Sequence, residues 1–346
     1  MFPKIFPGIP LRHFPAATIF FALLALAAAS AAPASAQTET EAAVCSAEGA
    51  KSPDEMIGIC GRVIDSAAAT PADRIQALLA RAELRRKGEQ FDLAVQDCSE
   101  AIRLDPTPQG FDCRGNALAA DKKYLAALDD FDRAIGLDPK YVRAFADRAA
   151  TFGLMRETRL AVRDYTEAVR LAPTRVQGFV DRAEAYLKVR RIDLAIDDQS
   201  EAIRLEPSSS DHFEARGKLY ARNSAYDRAI ADFNEAIRLQ PKADYLVERG
   251  NAWNLKGHPD RAIADYDEAI RLDPALALAY NNRGVAWRDK GDVAQARADF
   301  RTALTMDPAL DIAAEHLARL KPQGAQTTKR TVQFHPLADA AASLPK

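Results

Sequence analysis

Between Pro106, Pro139, Pro173, Pro207, Pro241, Pro274 and Pro308, apolar and small residues recur three and four positions apart, in two blocks per interval. The intervals are 33 or 34 residues long. Such spacing gathers the apolar residues of each block on one face of a helix. Charged or turn-tolerant residues divide the blocks, as in Lys256-Gly257-His258-Pro259 and Lys290-Gly291-Asp292. Proline has no N–H to donate and biases the preceding residue away from helical backbone, so each of these prolines marks a helix stop. The pattern predicts one pair of antiparallel helices per interval.

An alanine stands twelve residues before every one of these prolines, at 94, 127, 161, 195, 229, 262 and 296, and another stands five before it, from Ala101 to Ala303. Gly115, Gly217, Gly250 and Gly284 fall on the first helix of their units. Small residues at these places let the two backbones approach closely. Phe131, Tyr165, Phe233, Tyr266 and Phe300 on second helices fill the flanking space, with Phe111, Phe145, Phe179, Phe213 and Tyr280 on first helices. One hairpin cannot bury its apolar faces alone, so neighbours must stack into a continuous core.

An aromatic, Gly four residues on, a second aromatic three after that, then A-x-x-x-[FY]-x-x-A-x-x-x-x-P, resembles the tetratricopeptide repeat. The last full unit carries it as Tyr280, Gly284, Trp287, Ala296, Phe300, Ala303 and Pro308. The resemblance implies an all-α, right-handed α-solenoid of seven helical hairpins over residues 75–308, with flanking capping helices. Ala82, Ala149 and Ala183 depart from the pattern at the glycine, Cys98 and Gln199 at the second-helix aromatic, and Arg85 where an aromatic is expected. Residues 53–69 read as a helix covering the first repeat, and 309–320 as a closing helix with Ile312, Leu317 and Leu320 inward. In this family the first helices line a concave groove that holds a protein or peptide partner. The helical wheel then sets Asn116, Glu184, Lys218 and Asn251 on the groove face, with Glu214, Val247 and Asn281 beside them. One subgroup grips a C-terminal carboxylate with Lys and Asn, but no three consecutive units here hold that pattern.

Two charged rows run through all seven units. Arg81, Arg114, Arg148, Arg182, Arg216, Arg249 and Arg283 stand one residue before the small position of the first helix. Asp97, Asp130, Asp164, Asp198, Asp232, Asp265 and Asp299 stand one residue before the aromatic position of the second. The arginines could form a stripe for an anion. Equal numbers in fixed register at a helix–helix contact point instead to a structural ladder of ion pairs, since an unpaired charge there is costly. Glu100, Glu167, Glu201, Glu235 and Glu268 precede an Arg by three residues, which is helix-surface pairing.

The ends of the chain add a compartment. Lys4, Arg12 and His13 precede an uncharged apolar run from Ala16 to Ala29, and Ala34-Ser35-Ala36 offers a cleavage site. Residues 1–36 read as a signal peptide, 37–74 as an N-terminal segment with its capping helix, and 321–346 as a disordered tail. The protein is expected to be exported, periplasmic or secreted; a membrane enters only if the signal helix is retained as a tether. Cys45, Cys60, Cys98 and Cys113 agree with export: adjacent pairing gives two bridges, each with a separation of 15 residues. Four cysteines allow three connectivities, and the tight C-x-x-C pairs of a four-thiolate metal site are absent. A net charge of −2 gives no footing for nucleic acid. The sequence holds no H-E-x-x-H, G-x-S-x-G or G-x-x-x-x-G-K-[ST], so no enzyme, metal or cofactor is expected.

Overall fold

The structure, a computed structural model, describes Cys45 and residues 52–320; the signal segment and the C-terminal tail lie outside the described residues. Sixteen helices and no strand occur among the described residues, an all-α helical repeat fold. None of these helices is long and apolar enough to cross a membrane. The chain divides into two bodies at Pro106–Thr107.

The first body holds α1 (Pro53–Asp65), α2 (Pro71–Lys87) and α3 (Phe91–Leu104). Thr70 caps α2 through a reciprocal box with Asp73, and Pro71 occupies the first turn, where its missing N–H costs nothing. A small core of Met56, Ile59, Cys60, Val63 and Ala77 joins α1 to α2. Cys60 is disulfide-bonded to Cys45, with Cα atoms 5.2 Å apart. Cys98 and Cys113 are oxidised as well, leaving no free cysteine among the described residues.

The second body holds six hairpins: α4 (Pro108–Ala120) with α5 (Tyr124–Leu137), α6 (Val142–Leu154) with α7 (Thr158–Leu171), and α8 (Val176–Lys188) with α9 (Ile192–Leu205). They continue with α10 (Ser210–Arg222) and α11 (Tyr226–Leu239), α12 (Ala243–Leu255) and α13 (Pro259–Leu272), and α14 (Ala277–Lys290) and α15 (Val293–Met306). Helix α16 (Asp311–Arg319) follows the last pair. Each hairpin packs against the next. Leu246 and Val247 of α12, Tyr266 of α13 and Ala279 of α14 form one cluster, and Leu320 beyond α16 closes over Val285 and Phe300.

The small-residue positions explain both the rule and its exceptions. A methyl group added to Gly115, Gly217, Gly250 or Gly284 would lie 2.7–2.8 Å from the ring of Phe131, Phe233, Tyr266 or Phe300, sixteen residues later. All four rings are fully buried. Where alanine replaces that glycine, the partner is smaller, as in Ala82 with Cys98 and Ala183 with Gln199. In the remaining case, Ala149, the ring of Tyr165 is only half-buried. The substitutions are paired changes in packing rather than decay of the repeat.

The turn inside each hairpin requires left-handed backbone at one residue. Glu89, Lys122, Arg156, Arg190 and Ser224 hold φ of 57–64° there, and Gly257 and Gly291 hold 88° and 96°. A side chain disfavours this conformation by about 1–2 kcal/mol.

Candidate partner-binding face

The frame of the site is the pair of charged rows. Arg148, Arg182, Arg216, Arg249 and Arg283 each donate through Nε and Nη2 to both oxygens of the Asp sixteen residues later, at 2.5–3.0 Å. Arg81 and Arg114 do the same with Asp97 and Asp130. The acids are buried and the arginines half-buried, so these forks are worth far more than surface pairs. Arg114, Arg148, Arg182, Arg216 and Arg283 also lie 5.4–5.9 Å from the ring three residues before them, within cation–π range. Arg85 stands in place of an aromatic because its Nη1 makes a second contact with Asp97, at 2.6 Å.

The guanidinium has a third arm, and the sequence rows did not reveal its use. Nη1 of Arg148, Arg216, Arg249 and Arg283 reaches back to Asp132, Ser200, Asn234 and Asp267 on the preceding second helix. These acceptors sit two residues after the ladder aspartate, and differ too much in type to stand out as a row. Each such arginine therefore ties its own hairpin together and fastens it to the one before. With the arginines consumed in this way, they present no stripe for an anion.

Along the first helices, the side chains between the ladder positions contact the next first helix. Asn116 Nδ2 donates to Asp147 Oδ2 at 2.7 Å. Lys218 pairs with Glu214 at 2.6 Å and lies 3.8 Å from Glu248, while Glu184 is exposed. The other three groove residues expected from the helical wheel are corrected here: Val247, Asn251 and Asn281 are buried. Val247 belongs to the core shared by α12 and α14. Asn251 Oδ1 accepts from Tyr266 Oη and Asn282 Nδ2, and Asn281 Oδ1 meets His316 Nδ1 at 3.0 Å. A single-helix wheel cannot foresee that the following first helix covers these positions. Burial lowers the His316 pKa to about 4, so this amide network contains a neutral imidazole at pH 7.

Three further acids on the first helices were missed in the sequence. Asp112 on α4, Asp147 on α6 and Asp181 on α8 bring one carboxylate per hairpin, with Glu184 a turn beyond Asp181. Burial, and then the charge of Asp147, push Asp112 up to about 8. Burial also raises Asp181. The Tyr165 hydroxyl is raised by burial and by the carboxylates of Asp181, Glu184 and Asp147. The one available signal was Ala149, which denies Tyr165 the usual slot.

Among the described residues no cluster of three or more side chains suited to holding a metal occurs. The tetratricopeptide repeat family model matches residues 180–244 and 256–311. The C-terminal part of a TPR repeat-containing protein from Cytophaga hutchinsonii is 15% identical, with 82% of this chain and 99% of that one covered and a TM-score of 0.51. A tetratricopeptide repeat protein from Parabacteroides merdae is 19% identical over 70% and 97%, with a TM-score of 0.49. YrrB, described as a TPR protein with an unusual peptide-binding site, is 19% identical over 54% and 96%, with a TM-score of 0.45. With hairpins of 33 or 34 residues, glycine–aromatic slots in register and a family model matching residues 180–244 and 256–311, this chain carries tetratricopeptide repeats.

Proposed function

We propose that the chain is a non-catalytic scaffold outside the cytoplasm, holding a peptide segment or partner helix along the first-helix face. One contrast carries the reading. The ladder, the alanines and the glycine–aromatic slots hold their register along the array, whereas the residues between them on the first helices change from unit to unit. A constant frame with a varying face suits recognition of an extended partner rather than one repeated ligand. Asn116, Glu184, Glu214 and Lys218 remain the contact candidates. The oxidised cysteines support an oxidising compartment such as the periplasm.

The test is photocrosslinking in the native compartment with a photoreactive residue at Glu184, which is exposed, and a control at Asp193 on a second helix. A discrete partner captured from 184 and not from 193 is the expected result. Equal capture at both sites, or none, removes the first-helix face from the account. Sequencing the mature N-terminus checks the compartment: Gln37 is expected, and an intact Met1 would favour a membrane tether.

A further inference from the structure

The five seams between consecutive hairpins of the second body are not held alike. At four of them the third arm of an arginine reaches back to Asp132, Ser200, Asn234 or Asp267. Each of the four has at least one further side-chain bond across it, such as Asn116 to Asp147 or Asn254 to Asp289. The seam between α7 and α8 has neither. Its acceptor place holds Thr166, whose hydroxyl donates to Val162 O within α7 at 2.7 Å, and Arg182 hydrogen-bonds only to Asp198. Ser200 makes the same kind of bond to Ile196 O and still accepts from Arg216, so the missing tie belongs to the seam rather than to the hydroxyl. Among the described residues, no side-chain hydrogen bond or ion pair joins α6 and α7 to α8 and α9.

The two hairpins that meet here are also the two of the second body whose small-residue slot takes no fully buried ring. Ala149 leaves Tyr165 half-buried, and Ala183 is matched with Gln199, whose Oε1 is enclosed without a hydrogen-bond partner. Apolar contact remains beside the connecting turn. A methyl group added to Gly178, near the start of α8, would lie 3.2 Å from Cγ2 of the buried Val169, near the end of α7.

We infer that the α7–α8 seam is the hinge of the array, at which the block α4–α7 rotates against the block α8–α16 while the tied seams stay rigid. Hydrogen bonds are directional, so a tied seam holds one crossing angle. Apolar packing is not directional and tolerates small sliding of packed helices. In a solenoid each repeat touches only its neighbours, so one loose interface decides where the whole array bends. Val169 against Gly178 is the pivot. Thr166 and Arg182 lie about one helical turn beyond it and can part without breaking a bond. Rotation there widens or narrows the first-helix face between α6 and α8. The hinge is a property of the free chain and stands whether or not a partner is found.

The experiment is double electron–electron resonance on the full mature chain, with nitroxides attached through p-acetylphenylalanine so that the disulfides stay intact. Labels at Asp129 and Asp197, exposed on α5 and α9, span the hinge; labels at Ala231 and Ala298, exposed on α11 and α15, span tied seams alone. The first pair is expected to give a broad or two-peaked distance distribution, and the second a single narrow one. Thr166→Asp installs the carboxylate found at Asp132 and Asp267. It should cut the minor population of the first pair about threefold to tenfold, the worth of one hydrogen bond, and leave the second pair unchanged. Thr166→Ala, which has no tie to lose, should leave both pairs as they are, and circular dichroism checks that each variant is folded. Equal widths for the two pairs in the natural chain overturn the hinge. A first pair that stays as broad in folded Thr166→Asp, or that broadens further in Thr166→Ala, overturns the missing tie as its cause.

Discussion

Asp112→Asn should stabilise the protein at pH 8 and leave it unchanged near pH 4. The carboxyl of Asp112 is raised from 3.8 to about 8 by burial and by Asp147. The folded chain therefore binds more protons than the unfolded chain between those values, and stability contributed by this group falls as pH rises through the window. At about 1.4 kcal/mol per pH unit, a shift of about four units sets a ceiling of about 5 kcal/mol. Relaxation around the ionised pair, of the kind that gives protein interiors a high effective dielectric, reduces the expected difference to about 2–3 kcal/mol. Asparagine cannot ionise and relieves Asp147 of its neighbour. The assay is urea denaturation of both proteins from pH 4 to pH 9, comparing free energies at equal slopes. Subtraction matters because His316 works in the opposite sense. Its pKa is lowered to about 4, so its stability contribution is present above pH 6.5 and fades as pH falls toward 4. A difference that stays flat across the range, or a natural chain that gains on the variant toward pH 8, would refute the argument.

The ladder predicts that Arg216→Ala lowers unfolding free energy by about 3–5 kcal/mol, since it strands Asp232 and removes the tie to Ser200; Asp232→Ala should cost a similar amount, and unchanged melting of both would dismiss the ladder. Gly250→Ala should destabilise by about 1–3 kcal/mol, because the new methyl meets the buried Tyr266 ring at 2.7 Å. Arg190→Gly should be neutral or stabilising by up to about 1 kcal/mol in the same measurement, as it relieves the left-handed backbone at φ 60°.

The helical pairs could be read from the prolines and alanines because each mark acts locally: a missing N–H stops a helix wherever it occurs. The ladder rows were also visible, as both partners repeat in type as well as position. What escaped was whatever depends on the next hairpin. Asp132, Ser200, Asn234 and Asp267 perform one task with three kinds of side chain, so no column of identical letters announces it. Val247, Asn251 and Asn281 look solvent-facing on their own helices and are covered by the following one. Asp112 carries no mark on its own helix, because the acid that raises its pKa, Asp147, comes from α6.

The backward-reaching arm also bears on how such an array grows. The units of Arg216 and Arg249 each contain both halves of the joint, an arginine for the hairpin before and an acceptor, Asn234 or Asp267, for the hairpin after. A gene segment copied in tandem would therefore deliver a ready-made fastening at each seam, with no compensating change needed in either neighbour. The series ends where that grammar lapses, at Arg301 in the acceptor place and Leu317 in the arginine place. Insertion upstream of Arg301 lengthens the array in kind, while anything appended past it must find another way to hold on.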